Sequence, residues 1–195
     1  SYLKNHPQAT VYHQPAWGQV MLDAYRNSPY YLTARRGNNI CGILPLVEQR
    51  SMIFGTHLCS LPYFDAVGIL ADDADCTHAL AQAASQLLQE CKTQWVELRH
   101  LQPLCPNLPT RTDKVTMHLD LPDNAETLWD GFTTKLRTKI RKARKNDVTM
   151  LQGSMELLDE YFLIYLLTMR ELGSPPHSRK FFAEIIRAFA EQVRL

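Results

Sequence analysis

Glycine is scarce and scattered, eight in 195 residues. No two lie close enough to build GxGxxG, a Walker loop or the glycine-rich pyrophosphate turn of ordinary coenzyme A-dependent acetyltransferases. No HExxH or GxSxG occurs, and the seven histidines show no ligand spacing. The five cysteines, Cys41, Cys59, Cys76, Cys91 and Cys105, are odd in number, widely spaced and never arranged as CxxC. That pattern suggests neither a disulfide framework nor a zinc site, and a reducing compartment fits it best. The longest nearly unbroken apolar run, YFLIYLLTM from Tyr161 to Met169, is about half a bilayer span, and the first residues lack a signal-peptide layout. The expectation is a cytoplasmic chain without a transmembrane segment, for which peripheral work at the inner membrane surface stays open.

What the sequence does have is 45% hydrophobic residues, enough for a real core, and a formal net charge of only +1. That near-neutrality hides a concentration. The stretch KLRTKIRKARK, Lys135 to Lys145, carries seven of the 21 basic residues and none of the 20 acidic ones, leaving 14 against 20 elsewhere, a balance of −6. Positive charge confined to one segment favours a site over a generally basic protein.

Short β-rich runs alternate with helix-like segments over the first 120 residues, the pattern of an α/β (α+β) chain. Pro15 suits the first turn of a helix running to about Arg26. PYYLTARRGNNICGILPLV predicts an antiparallel hairpin turning at Gly37, Asn38 and Asn39. Further strands are expected around His57 to Leu61, in QWVELRHL and in KVTMHLDL, with a helix over Ala74 to Cys91. LDLPDNAE, Leu119 to Glu126, reads as a boundary, giving units 1–121 and 122–195.

A long helical segment follows. At 100° per residue, Leu128, Trp129, Phe132, Leu136, Ile140 and Ala143 fall in one stripe, expected to be buried. Arg137, Arg141, Lys142, Arg144 and Lys145 fall opposite, and Lys139 lands inside the stripe, either as a snorkelling lysine or as a cation held in a cleft. VTML is a short strand candidate. A helix from about Met155 to Leu172, apolar almost all round, is expected to be central; Gly173 should stop it, and Ser178 should cap the next. That last helix stops without a cap or returning strand at Leu195, the expectation being that the second unit continues beyond it. Three readings of the basic face stay open: a solvated surface, a site for a phosphate-bearing ligand, or a DNA-reading helix, for which no helix-turn-helix context is present.

HPQAT with Ala16 and Trp17, YYLTARRGNNICGILPLVEQR, SLPYFDAVGILADD, WVELRH, KLRTKIRKARKN and MRELGSPPHSRKFF, taken in that order and spacing, resemble the FemAB-like proteins of the GNAT superfamily. The closest subgroup is the one associated with exosortase (PEP-CTERM) and exopolysaccharide loci. The KxRxxIRKARK and MRxLGSP pieces are the most specific parts.

The resemblance implies a GNAT-like mixed, mostly antiparallel sheet flanked by helices. It makes 1–121 the first of two tandem GNAT-like domains, lacking its initial strand, and 122–195 the helical start of the second. It implies transfer of an acyl or aminoacyl group to an amine of a cell-envelope or exopolysaccharide-related acceptor. In the Fem branch the transfer runs from aminoacyl-tRNA to a peptidoglycan precursor. No tightly bound cofactor is implied, and the donor is acyl-CoA or aminoacyl-tRNA. The long helical hairpin by which classical Fem proteins engage tRNA has no counterpart here. Lys135, Arg137, Lys139 and Arg141 are then candidates for holding donor or acceptor phosphates or offsetting oxyanion charge in a cleft between the domains. Tyr63, Phe64 and Asp65 line that cleft from one side, and Arg170, Ser174 and His177 from the other. Asp65 and His177 are the candidates for proton transfer. The rival reading is a non-catalytic nucleic-acid-binding module using the basic helix.

Overall fold

The computed structural model describes residues 2–53, 55–106, 108–113, 115–146 and 150–195. A short helix, α1 (Tyr2–Asn5), precedes α2 (Ala16–Tyr25). Pro15 occupies the N-cap of α2, and Arg26 ends it in the left-handed conformation at φ 60°. Strands β1 (Ser28–Arg36) and β2 (Asn39–Ser51) form the expected hairpin, with Gly37 at φ 57° supplying the turn. β3 (Gly55–Cys59) pairs antiparallel with the second half of β2, and the two-residue β4 (Leu70–Ala71) pairs antiparallel with its start. Helix α3 (Ala74–Glu90), capped by Asp73, leads to β5 (Val96–Glu97), which pairs parallel with β3. The sheet is therefore mixed and mostly antiparallel.

β2 is buried along most of its length because both faces of the sheet are covered. Leu44 and Leu46 point to one side, where they pack with Leu58, Ile69 and the Leu80, Ala84 and Leu87 stripe of α3. Val47 points to the other, where it joins Trp17, Val20 and Met21 of α2, Leu61, Val67, and Phe181 and Phe189. Successive strand residues face opposite ways, so one strand feeds both cores. Gly18 is what lets α2 lie so close to β1: a Cβ there would meet the Tyr31 hydroxyl at 1.9 Å.

The second half of the chain departs from its sequence pattern in three ways. The helical segment after the boundary is two helices, α4 (Ala125–Gly131) and α5 (Thr134–Lys145). Phe132 between them is extended, and Thr133 starts the second by accepting from the Leu136 N–H. A Ser/Thr cap competing with the interior of a helix explains the break. Secondly, the stripe from Leu128 to Ala143 is not buried; α4 and α5 contain no buried residue, and Leu136 is 40% exposed. Apolar spacing predicts a face, and burial needs an element to cover it.

Thirdly, residues 115–121 form no strand although Val115, Met117, Leu119 and Leu121 alternate as a strand would. They lie exposed and without a ladder partner among the described residues. The VTML candidate falls partly outside the described residues, and its Met150 and Leu151 are irregular and exposed.

Helix α6 (Leu158–Glu171) is likewise not central: only Leu158 is buried, while Leu163, Ile164 and Leu167 are exposed. Its covered side meets Phe182 of α7 (Arg179–Ala188) through Tyr161, Phe162 and Tyr165. α7 itself packs firmly on α2, with Phe189 and Trp17 rings 4.7 Å apart. Gly173 and Ser178 behave as their positions predict. Gly173 adopts φ 63°, with Ser174 N–H donating to the Met169 carbonyl and Gly173 N–H to that of Arg170, a Schellman ending. Ser178 accepts from the Phe181 N–H to begin α7.

Candidate functional site

The loop after β3 reads SLPYFD, and its backbone is unusual. Leu61 and Tyr63 have φ of 52° and 73°, the left-handed region that non-glycine residues avoid, on either side of buried Pro62. Holding each such residue costs about 1 kcal/mol or more, so the surroundings must enforce it. Arg99 does so from beyond β5: its N–H donates to the Ser60 hydroxyl at 2.8 Å and its Nη1 to the Phe64 carbonyl at 2.9 Å. Glu97 holds that guanidinium in place at 2.7 Å from Nε. Inside the loop, the Phe64 ring is anchored between Tyr12 and Trp17, with centroids 4.7 and 4.5 Å away. The loop is thereby clamped at both ends, and Tyr63, 44% exposed, is turned outward.

Tyr63 meets His177. The two rings make an edge contact at 4.6 Å, and Phe181 lies 4.7 Å from the imidazole. The Tyr25 hydroxyl, at the end of α2, approaches His177 Nδ1 at 2.8 Å. His177 is fixed from its own side as well, because its backbone N–H donates to the Tyr165 hydroxyl at 2.9 Å. Four chain segments thus converge: the end of α2, the loop after β3, α6, and the loop entering α7.

Burial sets the protonation of this cluster. It pushes the Tyr25 phenol up to about 12, raises Tyr63, and lowers His177. At neutral pH the site holds two intact phenols and a neutral imidazole. The Tyr25 hydroxyl, still protonated, shares a 2.8 Å hydrogen bond with Nδ1 of the imidazole, whose direction follows the tautomer of the ring. When the phenol is the donor, the other ring nitrogen, Nε2, carries the imidazole proton and is itself a donor. Tyr63 is touched by the Gln49 amide, whose Nε2 lies 3.5 Å from its hydroxyl. An uncharged group of O–H and N–H donors on rigid supports suits a carbonyl oxygen gaining negative charge.

The remaining sequence candidates are dispersed. Phe64 serves the core, and Asp65 is exposed, with Arg99 as its charged neighbour. Arg170 and Ser174 are exposed at the end of α6. Lys135, Lys139 and Arg141 are exposed on α5, and Arg137 lies 3.8 Å from Asp130. Arg141 and Arg144 sit over the Trp129 ring at 5.3 and 5.7 Å, which joins α5 to α4 by cation–π contact. Among the described residues no hydrogen bond, ion pair or ring contact links α5 to the Tyr63–His177 cluster. Tyr25, Tyr165, Phe181 and Arg99 carry no signal of their own in the sequence. Their parts come from contacts spanning up to 152 residues.

No family model and no curated protein matches the chain. A solved structure does: the crystal structure of FemX superposes with a TM-score of 0.65 at 15% sequence identity, over 97% of this chain and 52% of that one. The chain spans about half the length of FemX. The architecture is accordingly the GNAT-like, FemAB-like fold, a mostly antiparallel sheet flanked by helices. Among the described residues no helix is long and apolar enough to cross a membrane.

Proposed function

We propose that this chain belongs to a Fem-type transferase that moves an aminoacyl or acyl group onto an amine of a cell-envelope or exopolysaccharide-related acceptor, acting in the cytoplasm at the inner face of the membrane. The observation that carries the reading is the meeting of Tyr63, on its strained loop, with His177 and Tyr25. Likeness to FemX across nearly the whole chain supports it. In this reading Tyr63 O–H and His177 Nε2–H donate to the carbonyl oxygen as the amine adds and negative charge grows there. Tyr25 keeps the imidazole in the tautomer that donates. His177 then polarises the carbonyl, and the amine's proton leaves by another route, for which Asp65 remains a candidate. Lys135, Arg137, Lys139 and Arg141 present a face for the phosphates of the donor or acceptor.

The test is transfer by the natural protein, with radiolabelled aminoacyl-tRNA and acyl-CoA offered in parallel to an amine-bearing peptidoglycan precursor and to an amino sugar. Transfer from one donor, falling about 10²-fold or more in His177→Ala and about 10-fold in Tyr63→Phe, is the expected result. No transfer from either donor would overturn the reading.

A second reading, a nucleic-acid-binding module without transfer, is favoured by one observation. Of the seven basic side chains on α5, one lies within 4.0 Å of a carboxylate among the described residues. RNA binding without transfer of either donor would select it.

A further inference from the structure

Two thiols that no motif pairs lie in contact beneath the tip of the β1–β2 hairpin. Cys41 is near the start of β2, and Cys76 is in the first turn of α3, 35 residues on. Their sulfur atoms are 2.8 Å apart, and both residues are buried at 5% and 4% exposure. A covalent S–S bond spans about 2.05 Å, so less than an ångström of movement separates contact from bond. From this geometry we infer that Cys41 and Cys76 are a dithiol site that closes reversibly into an intrachain disulfide, locking the start of α3 to the central strand.

The oxidant is a low-molecular-weight disulfide. One thiolate attacks it, forming a mixed disulfide and releasing one small thiol. The second cysteine sulfur then displaces the other half, forming the Cys41–Cys76 bond. Two electrons pass from the protein sulfurs to the added disulfide, and the two thiol protons end on the two released thiols.

Access is through a weak cover. Tyr2 of α1 lies over the site, donating to the Cys41 carbonyl and the Asp72 carboxylate at 3.2 and 2.9 Å, yet α1 contains no buried residue. The other cover is the ion pair between Arg36 and Asp73, 2.7 Å apart and solvent-exposed. Elements with so little buried surface open at small cost. The hydrogen bond that the Cys76 thiol donates to the Cys41 sulfur, followed by loss of hydration, pushes the Cys76 thiol up to about 12. Little Cys76 thiolate therefore exists at neutral pH, and its attack quickens about tenfold per pH unit between 7 and 9.

The other three thiols are the internal control. Cys59 is buried apart from this pair, and Cys91 and Cys105 lie partly buried against the Leu80, Ala84 and Leu87 cluster, Cys91 at the far end of α3 from Cys76. The test incubates the folded protein with oxidised glutathione at pH 8.5, then counts thiols under denaturing conditions and maps peptides without reduction. Expected are a fall from five thiols to three, one linked pair of peptides carrying Cys41 and Cys76, and a melting temperature higher by about 5–10 °C that dithiothreitol reverses. A variant with Cys59, Cys91 and Cys105 all changed to serine should behave the same, Cys41→Ser should abolish the linkage, and Tyr2→Ala should speed it. Five persisting thiols, stable glutathione adducts, or a linkage through Cys91 or Cys105 would overturn the inference, and peptide mapping reads these outcomes without any variant.

Discussion

The hydroxyl of Tyr25 lies 2.8 Å from Nδ1 of His177, joining the end of the second helix to a loop 152 residues later. This contact makes a partly buried imidazole tolerable, because it satisfies one nitrogen while the ring stays neutral. The cost appears in acid. His177 is lowered by burial, as are His13, His57 and His100. Below the unfolded value of about 6.5 the unfolded chain takes up protons that the folded chain refuses, so stability is full above about pH 7 and falls as pH drops. Each refused proton contributes a slope of up to about 1.4 kcal/mol per pH unit. Thermal unfolding followed from pH 7.5 to 5 should show a falling melting temperature, with a shallower fall in His177→Gln. A wild-type profile flat over that range would contradict neutral histidines of which His13 is buried and His57, His100 and His177 are partly buried.

Position 63 distinguishes backbone strain from side-chain loss. In ordinary conformations glycine is less stable than alanine by about 0.4–1 kcal/mol, because its unfolded state is freer. At φ 73° the order should invert, since alanine retains the Cβ clash and glycine does not. Urea denaturation of Tyr63→Gly and Tyr63→Ala should therefore place the glycine variant about 1 kcal/mol higher. Equal stabilities, or alanine above glycine, would mean that the loop relaxes and Arg99 does not hold it. Both variants should lose transfer activity, because the phenol is gone from each.

How much of this was legible in the sequence follows from the range of the interactions. The hairpin, the helix at Ala74, the glycine stop at Gly173 and the serine cap at Ser178 are set within a few residues, and each was readable from its own stretch. Tyr63 and His177 were both visible as candidates, but that they meet depends on α7 packing against α2, which no local pattern states. The stripe on α4 and α5, the alternation over 115–121 and the apolar girth of α6 are equally clear as patterns. They misled because periodicity tells which residues share a face and nothing about what covers it. Phosphate binding by α5 rests on charge pattern alone, since electrostatic sites of this kind need no enclosing geometry.

Gly18 supplies a test of the α2–β1 contact. In an exposed helix, glycine to alanine gains about 1 kcal/mol. Here the new methyl would meet Tyr31 Oη at 1.9 Å and Pro29 Cβ at 2.9 Å, and that hydroxyl is held by its 2.6 Å bond to the Pro15 carbonyl. Gly18→Ala should consequently destabilise by about 1–3 kcal/mol. Adding Tyr31→Ala, which removes the main obstacle, should restore part of that loss relative to Tyr31→Ala alone. Simple additivity of the two changes in a double-mutant cycle would show that the contact does not limit the approach.

The basic helix separates binding from folding. Its side chains are mostly exposed, and its ionic contact with Asp130 spans 3.8 Å, so replacing Arg137, Arg141, Arg144 and Lys145 with alanine should change stability by less than about 0.5 kcal/mol. Alanine's helix propensity offsets the removal of the guanidinium groups that stack on Trp129. Affinity should respond quite differently. Each cation that neutralises a phosphate contributes about 0.7–0.9 to the slope of log affinity against log salt, so four acting together contribute about 3. Fluorescence anisotropy with tRNA and an unrelated RNA across a salt series should show tight, steeply salt-dependent binding by the wild type. The variant's slope should be lower by about 3. Preference for tRNA over the unrelated RNA would favour an aminoacyl-tRNA donor, and equal binding of both would favour the module reading. If neither RNA bound, the phosphate face would have to serve a small donor such as acyl-CoA or no ligand at all. Inhibition of transfer by free nucleoside diphosphate, lost in the same four-residue variant, would then decide between those two.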